Sequence, residues 1–363
     1  MSALEAVDAR LDRMRGDAPP RNHDARSIAA LTTNPGCKRR ALLDAAGADK
    51  AQIARFLGHP PHFGQSQFAI TRGNAFEATV KSDGCAPLYG LLRDKLGLPV
   101  PESEYADLEE VGGNVSREVR YARTKQLLKR AVEGEGTLFD HPLLRIEVGG
   151  HPVYLEPDVI AFRFEGAFHI IEIKSFPIVD GRANPEQVAA AARQSAVYVL
   201  ALRLLMTELG YDESLVADRV VLVCPENFTN RPTATLVDVR QQLGVIRRQL
   251  QRMQRIDELL DALPEDVTFA MDEGLGESVQ RIEARYEPGC RTHCDLSLYC
   301  RAEARACGST DQLGRQIGDQ LGGITRVDKA LDIARGADPE DEALEEVAGE
   351  LQEAYRLLAE IAR

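Results

Sequence analysis

Two apolar runs, Val159 to Phe164 and Phe168 to Ile173, flank the turn residues Glu165 and Gly166 in the segment EPDVIAFRFEGAFHIIEIKSF. Runs rich in β-branched and aromatic residues on either side of such a turn predict a β-hairpin. Asp158 opens its first strand, and Glu172 and Lys174 close its second, fourteen and sixteen positions later. Side chains alternate along a strand with period two. Glu172 and Lys174 therefore share one face, and Ile171 and Ile173 share the other. Two carboxylates and an ammonium converge at one end of a sheet.

Hard divalent cations such as Mg2+ or Mn2+ take oxygen ligands. Asp158, Glu172 and the backbone carbonyl of Ile173 offer several, with water completing the shell. A cation held there would activate water and neutralise charge on a phosphate. Lys174 would stand beside the nucleophile or the phosphate oxygens. The plainer reading is a hairpin with ordinary charged ends, since an Asp and a Glu-x-Lys at this spacing arise by chance in many chains. Against it, Glu172 sits among isoleucines, where a carboxylate is costly unless paired or metal-bound.

Pro157-Asp158 followed by Glu172-Ile173-Lys174 resembles the signature of the PD-(D/E)XK nuclease superfamily. Two further segments resemble its RecB-like exonuclease branch. In QSAVY, Gln194 and Tyr198 lie four apart on a helix predicted from about Pro185 to Leu209. They match the Q-x-x-x-Y motif, which implies that both approach the active site and the nucleic acid strand. In RGNAFEA, Gly73 and Glu77 match a helix whose Glu or His is a further metal ligand. Many members carry His there. By themselves these residues also read as helix faces, and Glu77 as an exposed helical acid.

The seven cysteines are Cys37, Cys85, Cys224, Cys290, Cys294, Cys300 and Cys307. An odd count, a polar N-terminus and no long apolar run argue against a secreted disulfide framework and for a reducing cytoplasm. Cys290, Cys294 and Cys300 are close enough in sequence to share a centre of iron-sulfur or zinc type. The fourth ligand is left open by the residues themselves: Cys37 far upstream, or Cys307 or His293 nearby. A four-cysteine subset of RecB-like nucleases, including CRISPR-associated exonucleases and AddB-type subunits, resembles this layout, with one cysteine before the core and three after it. That resemblance implies a 4Fe-4S cluster on Cys37, Cys290, Cys294 and Cys300. The chain departs from it in having C-x3-C where C-x2-C is usual, and Zn2+ at the cysteine site stays the alternative. Cys85 and Cys224 read as core residues, Cys224 ending the buried run VVLVC.

Residues 1–56 read as a helical region carrying Cys37, 57–285 as the nuclease core, 286–308 as the cysteine segment and 309–363 as a helical region. Within the core a helix from about Thr71, a break near Gly97 to Glu102 and a helix from about Ser116 to Val132 precede a sheet section starting near Leu143. The runs VVLVC and TATLVDV predict two more strands, followed by a helix from about Val239 to Leu263. The C-terminal stretch reads as an amphipathic helix opened by Asp338 and Pro339. His59 and His62 fall in a loop and read as turn histidines. The class is α/β: a restriction-endonuclease-like core, with a mixed central sheet flanked by helices and helical extensions at both ends.

A net charge of -13 and a pI near 5.2 are unusual for a free DNA-binding module. The charge is uneven, however. Arg117, Arg120, Arg123, Lys125, Lys129 and Arg130 fall on one helix, and Arg240, Arg247, Arg248, Arg252 and Arg255 recur on another. Either helix could follow a phosphate backbone, and either could be a solvated face. The expected partners are DNA and a protein such as a helicase or another nuclease or defence subunit, with no membrane. Two function classes follow: a Mg2+- or Mn2+-dependent deoxyribonuclease, or a non-catalytic binding or scaffold subunit with a vestigial site.

Overall fold

The computed structural model describes residues 3–21, 23–61, 67–97, 104–107, 116–134, 137–164, 166–227, 229–313, 315–339 and 341–361. Glu165 and His62, both read from the sequence as turn or loop residues, lie outside this set. The chain forms two compact units, Asn22–Thr33 with Gly64–Arg255, and Met1–Arg21 with Asn34–Phe63 and Ile256–Arg363.

The first unit holds a mixed six-stranded sheet. Its order is β1 (Glu104–Asp107), β2 (Thr137–Asp140), β5 (Val159–Phe164), β6 (Ala167–Ile173), β7 (Arg219–Pro225) and β8 (Pro232–Asp238). The pairs β1/β2 and β6/β7 are parallel and the other three antiparallel. Strands β3 (Leu144–Val148) and β4 (His151–Leu155) pair with each other as a separate ribbon. Helices α2 (Ala25–Leu31), α5 (Gln67–Leu96), α6 (Arg117–Glu133), α7 (Pro185–Glu208) and α8 (Arg240–Gln251) complete the unit. The mixed α/β sheet flanked by helices is the architecture expected from the sequence.

The predicted hairpin is present, with Val159 opposite Ile171. Val159, Ile171, Ile173, Val221 and Val223 bury one face against Phe76, Val80 and Leu88 of α5. Alternation then turns Asp158, Glu172 and Lys174 to the other face. Helix α7 starts cleanly because the Asn184 side chain accepts hydrogen bonds from the backbone N–H groups of Glu186 and Gln187, with Pro185 preset for the first turn. It is long and apolar enough to cross a bilayer by composition, so the sequence does contain an extended apolar helix. Most of its apolar side chains, Ala196 to Leu202 among them, are buried within the unit.

Several boundary expectations needed revision. The sheet starts at β1 and β2, ahead of Leu143, because four-residue strands are too short to show a period. The helix expected over Val239 to Leu263 is broken after Gln251, and α9 (Ile256–Asp261) belongs to the other unit. Helix α5 leaves helical geometry at Ser82–Cys85, where Asp83, Gly84 and Cys85 adopt φ of 51°, 62° and 65°, just ahead of Pro87.

The second unit is helical. It contains α1 (Ala3–Arg15), α3 (Lys38–Ala45), α4 (Lys50–Phe56) and α9, followed by α10 (Leu275–Gln280), α11 (Ser297–Cys307), α12 (Arg315–Gln320), α13 (Val327–Ala334) and α14 (Glu345–Ile361). Helix α14 opens at Glu345, after a short turn, and not at Asp338–Pro339. Its first half joins a small core with Ile324, Ile333 and Leu344.

Candidate active site and cysteine centre

Glu172 is completely buried. It makes an ion pair with Lys174, and neither of its oxygens accepts a further hydrogen bond. Burial, and then the neighbouring Asp158 charge, push its carboxyl up to about 8. Asp158 is likewise raised by burial, against the pull of Lys174. The backbone N–H of Ile173 donates to Asp158 Oδ2 at 3.0 Å, which ties the start of β5 to the end of β6. The main-chain N–H of Lys174 donates to the carbonyl of Val223 at 2.9 Å. Burial works to lower the Lys174 ammonium, but Glu172 and Asp158 outweigh it and hold the group above its usual range.

Helix α7 brings Tyr198 over the same face. Its hydroxyl donates to the Glu156 carbonyl at 3.0 Å. Burial raises the phenol strongly, Glu172 and Asp158 add to the rise, and Gln194 hydrogen-bonds to it. Tyr198 thus lies within electrostatic range of both carboxylates, with Gln194 hydrogen-bonded to it. On α5, Gly73 faces Ser175, whose Oγ a Cβ there would meet in ordinary contact at 3.7 Å, and Arg72 donates to the Ser175 carbonyl at 3.1 Å. This pins α5 to the residue after Lys174.

Glu77 lies within electrostatic range of both Asp158 and Glu172. Its direct partner is Lys81, Nζ to Oε1 2.7 Å, and Lys81 also lies 2.7 Å from Asp140 Oδ1 and 3.3 Å from His141 Nε2. Lys81 and Asp140 escaped the sequence reading. The only signal was the i,i+4 spacing of Glu77 and Lys81, which on any helix reads as a surface pair.

The cysteines expected to form a centre, Cys37, Cys290, Cys294 and Cys300, are all buried in the helical unit. Cys37 is the N-cap of α3. Each sulfur faces an N–H donor: the Arg285 and Arg40 main chain for Cys37, Asn34 Nδ2 at 3.4 Å for Cys290, the Leu296 main chain for Cys294 and Arg39 at 3.3 Å for Cys300. Burial nevertheless pushes the Cys294 thiol up to about 11 and the Cys300 thiol up to about 12. Arg39 is buried and also donates to both carboxylate oxygens of Glu303, at 2.6 and 2.9 Å, and to the Ile282 carbonyl at 3.1 Å. Cys307 is exposed. Cys85 lies in the sheet core, and Cys224 packs with Ala191 and Leu222.

In donor chemistry, both sets of residues are of the kinds taken by the groups they were read for. Glu172 presents buried oxygens whose one charged partner is Lys174, the donor type a hard cation takes. The four sulfurs with their N–H donors resemble the surroundings that stabilise thiolate ligands. Among the described residues no three His, Cys, Asp or Glu side chains stand close enough to hold a metal ion as they are. At the carboxylates, Lys174 pairs with Glu172, and Lys81 with Glu77 and Asp140.

No family model matches this sequence, and no curated protein matches it. Among solved structures, a protein named as a candidate exonuclease from Eubacterium rectale has a TM-score of 0.30 and 13% identity, over 72% of this chain and 86% of that one. A second, SSO0001, has a TM-score of 0.26 and 11% identity, over 69% and 87%.

The two basic helices are less basic in space than in sequence. Arg120 pairs with Glu156 at 2.9 Å and Lys125 with Glu208 at 2.6 Å, while Arg240 pairs with Asp238 and Arg247 with Glu213 at 3.0 Å. Arg123, Lys129 and Arg130 of α6 remain exposed.

Proposed function

We propose that this chain is a divalent-cation-dependent deoxyribonuclease that hydrolyses phosphodiester bonds, with a structural 4Fe-4S cluster in its helical unit. The observation that carries the reading is Glu172, a fully buried carboxyl with no hydrogen-bond donor beyond its Lys174 ion pair, set beside Asp158 and under Tyr198. A structural strand end gains little from such a group, because burying a carboxylate and its lysine partner carries a desolvation cost that their attraction often fails to repay.

Mg2+ or Mn2+ on Asp158, Glu172, the Ile173 carbonyl and Glu77 would supply water activation and charge neutralisation at the scissile phosphate. Asp158 is oriented for this by the Ile173 N–H. Lys174, about a quarter exposed, reaches from the buried carboxyl to the surface, so its ammonium is placed to stabilise phosphate oxygens. Tyr198, fixed on the Glu156 carbonyl, and Gln194 line the approach of the strand. Arg72 and the exposed cations of α6 favour a polyanion.

In the helical unit, the burial of all four cysteines, their N–H donors and the exposure of Cys307 favour a cluster on Cys37, Cys290, Cys294 and Cys300 over zinc bound through Cys307. The protein would work in the cytoplasm with a DNA-processing partner, in repair, CRISPR adaptation or phage defence. The test is the anaerobically purified chain, with its metal content measured, assayed with Mg2+ and Mn2+ on single- and double-stranded DNA labelled at either end. Degradation lost in Glu172→Gln supports the reading. Metal-loaded protein that binds DNA without cutting it would favour the scaffold alternative.

A further inference from the structure

Lys81 sits one helical turn after Glu77, and its surroundings are built rather than incidental. Its side chain is only 10% exposed, and it lies between a carboxylate that is 2% exposed, Asp140, and one that is 34% exposed, Glu77. Asp140 ends β2, and the register sets it opposite Val159, the residue after Asp158. The buried Asp140 holds the ammonium on one side, and Glu77 meets it through Oε1.

We propose that Lys81 is a positioning residue of the nuclease site: anchored on Asp140, it holds the Glu77 carboxylate where a divalent cation shared with Asp158 and Glu172 meets it. The inference rests on the nuclease reading above. It assigns a role to a second lysine, distinct from Lys174, which faces Glu172 directly. Carboxylate ligands are themselves held by hydrogen bonds, and loss of such a partner lowers metal affinity by roughly 10- to 100-fold. Charge alone would predict the opposite: deleting a cation beside three carboxylates would raise affinity for another cation. The two effects differ in sign, which makes the role measurable.

The test is Mn2+ titration of the full-length protein, following free Mn2+ by electron paramagnetic resonance, with Asp158→Asn as the control for the site itself. Lys81→Met is expected to weaken Mn2+ binding by roughly 10- to 100-fold, and Lys81→Arg to recover most of it. Lys81→Met deprives the buried Asp140 of its lysine partner. Should that variant fail to fold, Lys81→Met with Asp140→Asn removes that carboxylate as well and is expected to show the same weakening. Affinity unchanged or tightened in a folded Lys81 variant, with Asp158→Asn still weakened, overturns the positioning role and leaves the nuclease reading standing. A wild-type chain that takes up no Mn2+, or takes it up unaltered in Asp158→Asn, overturns both.

Discussion

The raised carboxyl of Glu172 ties stability to pH in a direction opposite to that of most acids. Its folded value is about 8, against an ordinary 4.5. Between those values the folded chain keeps a proton that the unfolded chain has released, so stability falls as pH rises through this window and levels off above it. One proton corresponds to ~1.4 kcal/mol per pH unit, and the whole window to about 5 kcal/mol at most. Asp158 is raised as well, so the two carboxyls titrate as a coupled pair and the fall is spread between them. The assay is urea unfolding in chelator from pH 5 to pH 9, comparing the wild type with Glu172→Gln, which keeps the shape and removes the titration. The wild type is expected to lose ~1 kcal/mol per pH unit relative to the variant near neutrality. A bound cation requires the ionised form, so added Mn2+ should reverse the trend and bind more tightly as pH rises. Parallel pH profiles for the two proteins in chelator would refute the buried, protonated carboxyl.

Lys174→Met is expected to lower single-turnover cleavage of labelled DNA by roughly 10²- to 10³-fold, the cost of removing one transition-state stabiliser; a change under threefold would remove Lys174 from the chemistry. Cys300→Ser or Cys37→Ser should abolish iron content and the visible absorption of the purified protein, while Cys307→Ser, altering an exposed thiol, should leave both intact. Arg39→Met should destabilise the helical unit by about 3 kcal/mol, since it breaks a buried pair with Glu303, read as a lowered thermal midpoint in protein stripped of metal. A shift equivalent to less than ~0.5 kcal/mol would mean that the Arg39 contacts carry little.

The parts of this chain that could be read in advance are those where chemistry and period coincide. The hairpin, the shared face of Glu172 and Lys174, and the shared helix face of Gln194 and Tyr198 on α7 follow from strand or helix spacing, and Tyr198 comes within electrostatic range of Glu172 and Asp158. What escaped depends on partners distant in sequence. Lys81 and Asp140 are 59 positions apart and meet only because the four-residue strand β2 ends where α5 passes. The ion pairs of the basic helices were out of reach for the same reason. Counting Arg and Lys along α6 and α8 cannot reveal that Glu156, Glu208 and Glu213 arrive from elsewhere in the chain to pair with Arg120, Lys125 and Arg247. The break between α8 and α9 was hidden because the residues 252–255 that separate them carry no glycine or proline to mark it.

The helical unit poses a sharper physical problem, because its segments are interrupted by most of the chain. Arg39 reaches Glu303 across 264 positions and Asn34 reaches Cys290 across 256. Closing a loop of that size costs conformational entropy that grows only as the logarithm of its length, ~0.6 kcal/mol per doubling. The main cost therefore falls on the first contact, and later ones between the same segments are nearly free of it. Arg39 supplies several together, to Ile282, Cys300 and both oxygens of Glu303, while its own N–H donates to the Glu283 carbonyl. Asn34 adds the Arg285 carbonyl at 2.6 Å. They tie the segment around Cys37 to the one that carries the later cysteines, so a cluster bound there would add its ligand bonds between segments that also share direct contacts. The upstream cysteine owes its place to the neighbours Asn34 and Arg39, which a reading confined to the cysteines could not reveal.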